Sequence, residues 1–172
     1  MITALSVLID LGIALLMEAV AWLEHRYIMH GFLWVWHKDH HKPLRKGLQL
    51  NDLFVFLFAL PSFLLIFLGL LNGIWFLPPI GYGMAAYGLG YTLFHDIMFH
   101  KRLKWLKLKP KGAYFEGIVT AHRLHHRCNE KEGSRAFGFL YAPKSYRKTE
   151  TWPPLIAAAL AAPAHRSASG QA

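Results

Sequence analysis

The sequence predicts an all-α integral membrane protein with three to four transmembrane helices. Two observations favour this fold class. The chain of 172 residues is 54% hydrophobic yet has a formal net charge of +9, a combination that is unusual in a soluble domain of this size. Its apolar residues are also concentrated, because residues 53–94 contain no Asp, Glu, Lys, Arg or His.

This uncharged segment is long enough for two membrane spans. A bilayer core about 30 Å thick requires about 20 helical residues, and Asn72-Gly73 near the middle supplies a turn. The spans are therefore predicted at residues 53–71 and 74–94. Pro61 lies inside the first of them, and membrane helices tolerate such residues.

The start of the chain predicts a further span at residues 2–23. It contains Asp10 and Glu18, whose carboxylates are expected to face the protein interior. Residues 1–150 then form a single membrane domain. The Ala- and Pro-rich tail at residues 151–172 is expected to be disordered.

Basic residues predict the orientation of these spans. Residues 25–51 contain five Lys or Arg and residues 95–150 contain thirteen, whereas the turn near Asn72 contains none. By the positive-inside rule, both basic segments are predicted to lie in the cytoplasm.

Ten of the 11 histidines fall into four groups within these basic segments, and the other, His165, lies in the tail and is assigned no role. Two groups have the spacing H-x4-H and begin where a predicted span ends. The other two have the spacing H-x2-HH. All ten are expected to lie in one layer beneath the membrane, in the stretches 25-HRYIMH-30, 37-HKDHH-41, 95-HDIMFH-100 and 122-HRLHH-126.

The H-x2-HH spacing places its histidines on one face of an α-helix, because residues at i, i+3 and i+4 are neighbours there. His37, His40 and His41 are therefore expected to point at a common position. The same holds for the second group, His122, His125 and His126.

The H-x4-H spacing fits an ideal α-helix poorly. His25 and His30 would differ by about 140° around the helix axis. They can share a target only if the helix ends, tightens or bulges between them. Gly31 favours an end at His30, and a π-bulge would also bring the two together.

The histidine pattern predicts two metal ions, since ten imidazoles exceed the three or four ligands of one zinc. Neutral imidazole suits Zn, Cu, Fe and Ni. The chain has neither H-E-x-x-H nor E-x-x-H, which argues against zincin proteases and carboxylate-rich di-iron bundles. A bis-histidine haem is disfavoured because the second and third spans contain no histidine. Two histidine-bound irons remain, with the predicted ligands His25, His30, His37, His40, His41, His95, His100, His122, His125 and His126.

These motifs resemble the membrane fatty-acid hydroxylase and desaturase superfamily, and within it the bacterial β-carotene 3-hydroxylase (carotenoid β-ring hydroxylase) family. The resemblance covers about residues 15–145. It is carried by 25-HRYIMHG-31, 37-HKDHHKPLRKG-47, 51-NDLF-54, 95-HDIMFHKR-102, 122-HRLHH-126 and 137-FGFLYAPK-144.

The resemblance implies a non-haem di-iron monooxygenase in the bacterial inner membrane. It would use O2 to hydroxylate carbon 3 of the β-ionone rings of β-carotene, giving β-cryptoxanthin and then zeaxanthin, and related carotenoids could be accepted. Electrons would come from NAD(P)H through ferredoxin and its reductase. Hydroxylating an unactivated C–H bond requires an oxidant that only a cofactor supplies.

Three carboxylates could hydrogen bond to the ligand histidines, namely Glu18, Asp39 and Asp96. For Asp96 a solvated role is an equal alternative. Asn51 and Asp52 open the second span, where a helix cap explains them at least as well.

The segment 101-KRLKWLKLKPK-111 alternates basic and apolar residues. It is interpreted first as a strip on anionic lipid headgroups. The alternative is a docking surface for an acidic ferredoxin, through Lys101, Arg102, Lys104, Lys107, Lys109 and Lys111. Nucleic-acid binding is not expected of a membrane-bound strip this short.

Two other functions remain open on the residues alone. A lipid or sterol hydroxylase or desaturase could use the same metal centre, and spacing does not distinguish it. A histidine-rich metal transporter or storage protein is disfavoured, because a transport path requires ionisable residues within the spans.

Overall fold

The structure, a computed structural model, describes residues 2–42, 48–103, 105–106 and 108–143. The predicted tail at residues 151–172 lies outside these residues, as do Lys104 and Lys107. The described chain forms helices and no strands, which confirms the all-α prediction. The helices are α1 Ile2–Leu23, π1 Glu24–Phe32, α2 Trp34–His37, a 3-10 helix Leu50–Leu53, α3 Phe54–Asn72, α4 Leu77–Tyr91, π2 Thr92–Phe99 and α5 Ala113–His125.

Helix α4 packs between α1 and α3, and glycines allow the close approach. A Cβ atom at Gly83 would lie 2.5 Å from the carbonyl oxygen of Asp10 on α1. On the other side, a Cβ atom at Gly81 would lie 2.7 Å from the carbonyl oxygen of Ser62 on α3. Both distances are too short for any side chain, so these two glycines set the spacing of the three long helices.

The predicted turn between the second and third spans is confirmed. Gly73 ends α3 with a positive φ of 65°, a backbone conformation that glycine adopts at no steric cost. The helix of the predicted third span starts later than residue 74. It is α4, which begins at Leu77 with prolines in its first turn. It then continues into π2 without a break.

The outer surface of the long helices is apolar. Leu15 is 76% exposed on α1, and Phe56 is 65% exposed on α3. Among the described residues, two helices are long and apolar enough to cross a membrane, Thr3–Phe32 and Leu50–Asn72. Because their apolar side chains mostly face outward, these helices are suited to a lipid environment and differ from the core helices of a soluble protein.

The two π-helices lie at one end of this bundle and carry the H-x4-H groups. In π2 the N–H of His100 donates to the carbonyl oxygen of His95 at 2.9 Å, an i→i+5 bond that places the two residues one turn apart. Helix π1 contains a kink at Gly31, which has non-helical φ and ψ. Both sequence alternatives are thus realised, a π-helix within the group and a break directly after His30.

Candidate metal centre

The ten predicted ligand histidines converge at the end of the helical bundle. They form two groups of five, within each of which the candidate ligand atoms lie within 4.8 Å of one another. The first group contains His25, His30, His37, His41 and His125, and the second contains His40, His95, His100, His122 and His126. The two groups are adjacent, because the rings of His41 and His126 have centroids 4.7 Å apart.

Each H-x2-HH motif supplies histidines to both groups, so the expectation of one common position per motif is wrong. In the motif at 37–41, the Nε2 atoms of His41 and His37 are 3.0 Å apart. The Nε2 atom of His40 instead lies 3.2 Å from that of His95 in the second group. The physical reason is that α2 ends at His37, so residues 38–41 turn away from a helical path.

The motif at 122–126 divides for a different reason. Helix α5 extends to His125, and consecutive residues on an α-helix point about 100° apart. His122 and His126 lie one turn apart and join the second group, whereas His125 faces the first.

In the first group, the histidines are oriented mainly by backbone carbonyls from the segment that follows α5. The Nδ1–H groups of four histidines donate to carbonyl oxygens of residues 128–137 at 2.8 to 3.0 Å. The pairs are His41 with Cys128, His30 with Lys131, His125 with Arg135 and His25 with Phe137. The fifth histidine, His37, donates to Oδ1 of the buried Asn51 at 2.6 Å.

In the second group, a network of polar side chains orients His40 and His95. The Nδ1–H of His95 donates to Asp96 at 2.8 Å, and that of His40 donates to Oε1 of Gln49 at 2.9 Å. Asp52 connects these two ends. It accepts the N–H of Gln49 at 2.9 Å and a bidentate pair of bonds from Arg102 at 2.6 and 2.7 Å, while Arg102 also lies 3.8 Å from Asp96.

These bonds test whether the residues fit a metal. A carbonyl or carboxylate oxygen can only accept, so Nδ1 carries the proton and Nε2 keeps a lone pair directed at the other histidines. Facing Nε2 atoms lie 2.8 to 3.2 Å apart, which matches adjacent ligands of one ion at a bond length of about 2.1 Å. The Nε2 atom of His126 is buried without a hydrogen-bond partner. The donor sets therefore fit two metal ions of the kind that imidazole binds.

Burial keeps the imidazoles neutral, which is the form that binds metal. Burial, together with a smaller effect of neighbouring histidines, lowers the pKa of His41 and of His100 to about 3. Burial raises the pKa of Asp96 to about 6, and the nearby Arg102 opposes that rise.

The three predicted carboxylates have different positions. Asp96 accepts the Nδ1–H of His95. Asp39 is buried and accepts the backbone N–H of Leu50 at 3.1 Å. Glu18 contacts the chain after α5, because its Oε1 accepts the N–H groups of Phe139, Leu140 and Tyr141 at 2.8 to 3.0 Å.

Within the described part of the basic strip at residues 101–111, Arg102 has an internal partner. The guanidinium of Arg102 is paired with Asp52, so it supports the histidines of the second group. Lys101, Lys109 and Lys111 are exposed.

A cavity of about 440 Å³ reaches both groups of histidines. Its wall includes His25 and His37 from the first group and His95 and His122 from the second. From there it extends between α3 and α4 past Phe58, Phe63 and Ile66, and most of its lining is apolar. The metal centre is thus open to an apolar ligand from within the helical bundle.

The histidine motifs alone do not predict the contacts of four polar residues near the site. Gln49 has no recognisable signal, and Arg102 is predicted only as a member of the basic strip. For Asn51 and Asp52, helix capping is predicted as an explanation at least as good as a role beside the ligands, and Asp52 does form a capping box with Gln49. The signal that could have found Asn51 is its polarity at the start of an uncharged segment, next to a histidine-rich turn.

Known proteins resemble the chain over the part that builds this centre. The profile of the fatty acid hydroxylase family matches residues 11–143. The beta-carotene hydroxylase of Pantoea ananas is 48% identical over 127 residues, which cover 74% of this chain and 71% of the relative. That of Pseudescherichia vulneris is 45% identical over 130 residues, covering 74% and 72%, and the chloroplastic beta-carotene 3-hydroxylase 2 of Arabidopsis thaliana is 33% identical over 146 residues, covering 79% and 45%. No solved structure matches the chain significantly.

Proposed function

The chain belongs to the fatty acid hydroxylase family, and we propose that it is a non-haem di-iron monooxygenase that hydroxylates carotenoids. The finer proposal is hydroxylation at carbon 3 of the β-ionone rings of β-carotene, which yields β-cryptoxanthin and then zeaxanthin. Relatives that bear the name beta-carotene hydroxylase are up to 48% identical to the chain, which supports this choice over a lipid or sterol substrate.

The observation that carries the proposal is the apolar cavity that ends at both histidine groups. A carotenoid ring is a hydrocarbon, so its binding site needs apolar walls and an opening toward the metal. The cavity combines these properties, because Phe58, Phe63 and Ile66 line one part and His25 and His95 another.

We assign one iron to each group of five histidines. Bound iron, together with O2, would supply the oxidant that a C–H bond requires. The protein contributes the arrangement of the ligands. The carbonyls of residues 128–137 fix the orientations of four rings of the first group. The network through Asp52 and Arg102 does so for two rings of the second.

We place the metal centre on the cytoplasmic side of the bacterial inner membrane, with the third span running through α4. The basic segments at residues 25–51 and 95–150 support this orientation. Fusion of a reporter enzyme after residue 143 tests the side of the membrane. A reporter that functions only in the cytoplasm should be active, and one that functions only on the opposite side should be inactive.

Ferredoxin, reduced by its NAD(P)H-dependent reductase, is the proposed electron donor. Lys101, Lys109 and Lys111 are exposed on the segment that follows His100, and their positive charges would attract an acidic partner. Charge reversal at Lys109 and Lys111 should slow reduction by ferredoxin at low salt and leave the iron content unchanged. Equal rates would contradict this docking surface.

The substrate is tested by expression in cells that accumulate β-carotene and contain ferredoxin and its reductase. Chromatography of the pigments should reveal β-cryptoxanthin and zeaxanthin, and a His125→Ala variant provides the control. A hydroxylated fatty acid or sterol, with unchanged β-carotene, would assign the same centre to a different lipid.

A further inference from the structure

The cavity is a slot between matching faces of two helices. Four of the α3 residues that line it recur at spacings of four, three and four, so they form one stripe along that helix. The stripe is about 16 Å long at a rise of about 1.5 Å per residue. The residues are Val55, Ala59, Ser62 and Ile66 on α3, with Ala85 and Gly88 opposite on α4.

The hydroxyl groups on the walls of the slot have partners within the protein. Ser62 donates to the carbonyl oxygen of Gly81 at 2.8 Å, and Thr92 donates to that of Gly88 at 3.1 Å. The hydroxyl of Tyr87 donates to Glu18 at 2.9 Å. Because these three hydroxyl groups are satisfied, they require no polar partner on the occupant of the slot, and most of the lining is apolar.

Gly88 is a glycine that packing against the protein does not explain. Glycine is unfavourable inside a helix, and the close helix contacts account for Gly81 and Gly83. At Gly88 an added Cβ atom would meet nothing within 4 Å, although the residue lines the slot. A side chain at this position would therefore occupy space that the cavity now provides.

We propose that Gly88 is a specificity-determining residue, which sets the width of the slot for a rigid, methyl-branched polyene whose ring lies among the histidines. The inference rests on the proposed function and deepens it. A methyl-branched, conjugated chain is wider and stiffer than an unbranched acyl chain, so it needs a broad passage beside the metal centre. Gly88 lies one helical turn before Thr92 and so lies close to the histidine-bearing π2.

The chain offers a matched control for this proposal. Gly90 lies on the same helix, and an added Cβ atom there would also meet nothing within 4 Å. Gly90 does not line the slot. Gly88→Leu and Gly90→Leu therefore make the same chemical change with and without narrowing the cavity, and both replace glycine by a better helix former.

The experiment measures hydroxylation of β-carotene and bound iron in the wild-type protein and in both variants. We expect Gly88→Leu to lose at least about tenfold in rate, a size typical of misfit in an apolar pocket, with iron content equal to wild type. Gly90→Leu should keep the wild-type rate. Gly88→Ala should lie between the two, and Ala85→Leu on the same wall should also lose activity.

Three results would overturn the inference. These are wild-type activity in Gly88→Leu, an equal loss in Gly90→Leu, or loss of iron in Gly88→Leu, which would assign the residue a structural role. If the wild-type protein itself did not hydroxylate β-carotene, the proposed function would fail and this inference with it. If the wild type and the Gly88→Leu variant were both active, the proposed role of Gly88 would be rejected and the proposed function would stand.

Discussion

Glu18 and Phe139 are joined by a hydrogen bond of 2.8 Å from the backbone N–H of Phe139 to Oε1 of Glu18. The residues are 121 positions apart in the sequence. The bond matters for the metal centre because Phe137, two residues earlier, accepts the Nδ1–H of His25. The same carboxylate thus secures the segment whose carbonyls orient four histidines of the first group.

Replacing Glu18 by Ala should destabilise the protein and reduce iron in the first histidine group. Three backbone N–H groups lose a charged acceptor, and a single such hydrogen bond contributes about 1.5–3 kcal/mol. Thermal unfolding and iron analysis of the purified protein measure the two effects. Glu116→Ala, at an exposed position on α5, is the control, and a Glu18→Ala variant with wild-type iron and unfolding temperature would contradict the role.

Replacing Asn51 by Leu should weaken metal binding in the first group about 10- to 100-fold, the usual effect of removing a partner of a ligand histidine. His37 would keep its Nδ1–H without the acceptor that lies 2.6 Å away. Competition with a chelator measures the affinity. Asn51→Asp keeps an acceptor oxygen and should bind more tightly than Asn51→Leu. Asn72→Leu, at the last residue of α3, should have no effect.

Arg102→Ala should reduce iron in the second group, since Asp52 would lose the bidentate partner that holds it beside Gln49. Arg102→Lys should restore only part of the iron, because an ammonium cannot form the two parallel bonds. Lys109→Ala, in the same basic strip, should keep the full iron content. Equal iron in all three variants would mean that the network does not support the centre.

The metal-free protein should lose stability as the pH falls below about 6.5. In the folded chain, burial lowers the pKa of His41 and His100 to about 3, so the unfolded chain binds more protons between these pH values and is favoured there. Thermal unfolding of chelator-treated protein at a series of pH values measures this. An unfolding temperature that is constant from neutral to acidic pH would contradict burial of the neutral imidazoles.

The sequence was sufficient for the helical class, the turn at Gly73 and the convergence of the ten histidines. It predicted these because span length, turn residues and side-chain spacing are local properties. The split of the motif at 37–41 depends on the end of α2 at His37, and that of the motif at 122–126 depends on the continuation of α5 to His125. The sequence also does not predict that carbonyls of residues 128–137 accept hydrogen bonds from the histidines, because every residue type provides the same backbone oxygen.

The iron content of the purified protein tests the central claim most directly. Two irons per chain are expected in the wild type, and about one in His30→Ala, which removes a ligand of the first group, as well as in His126→Ala, which removes one of the second. Each variant should keep the iron of the other histidine group, so the Mössbauer spectra of the two variants should differ. One iron or none in the wild-type protein, or the same remaining site in both variants, would contradict the assignment of one iron to each group of five histidines.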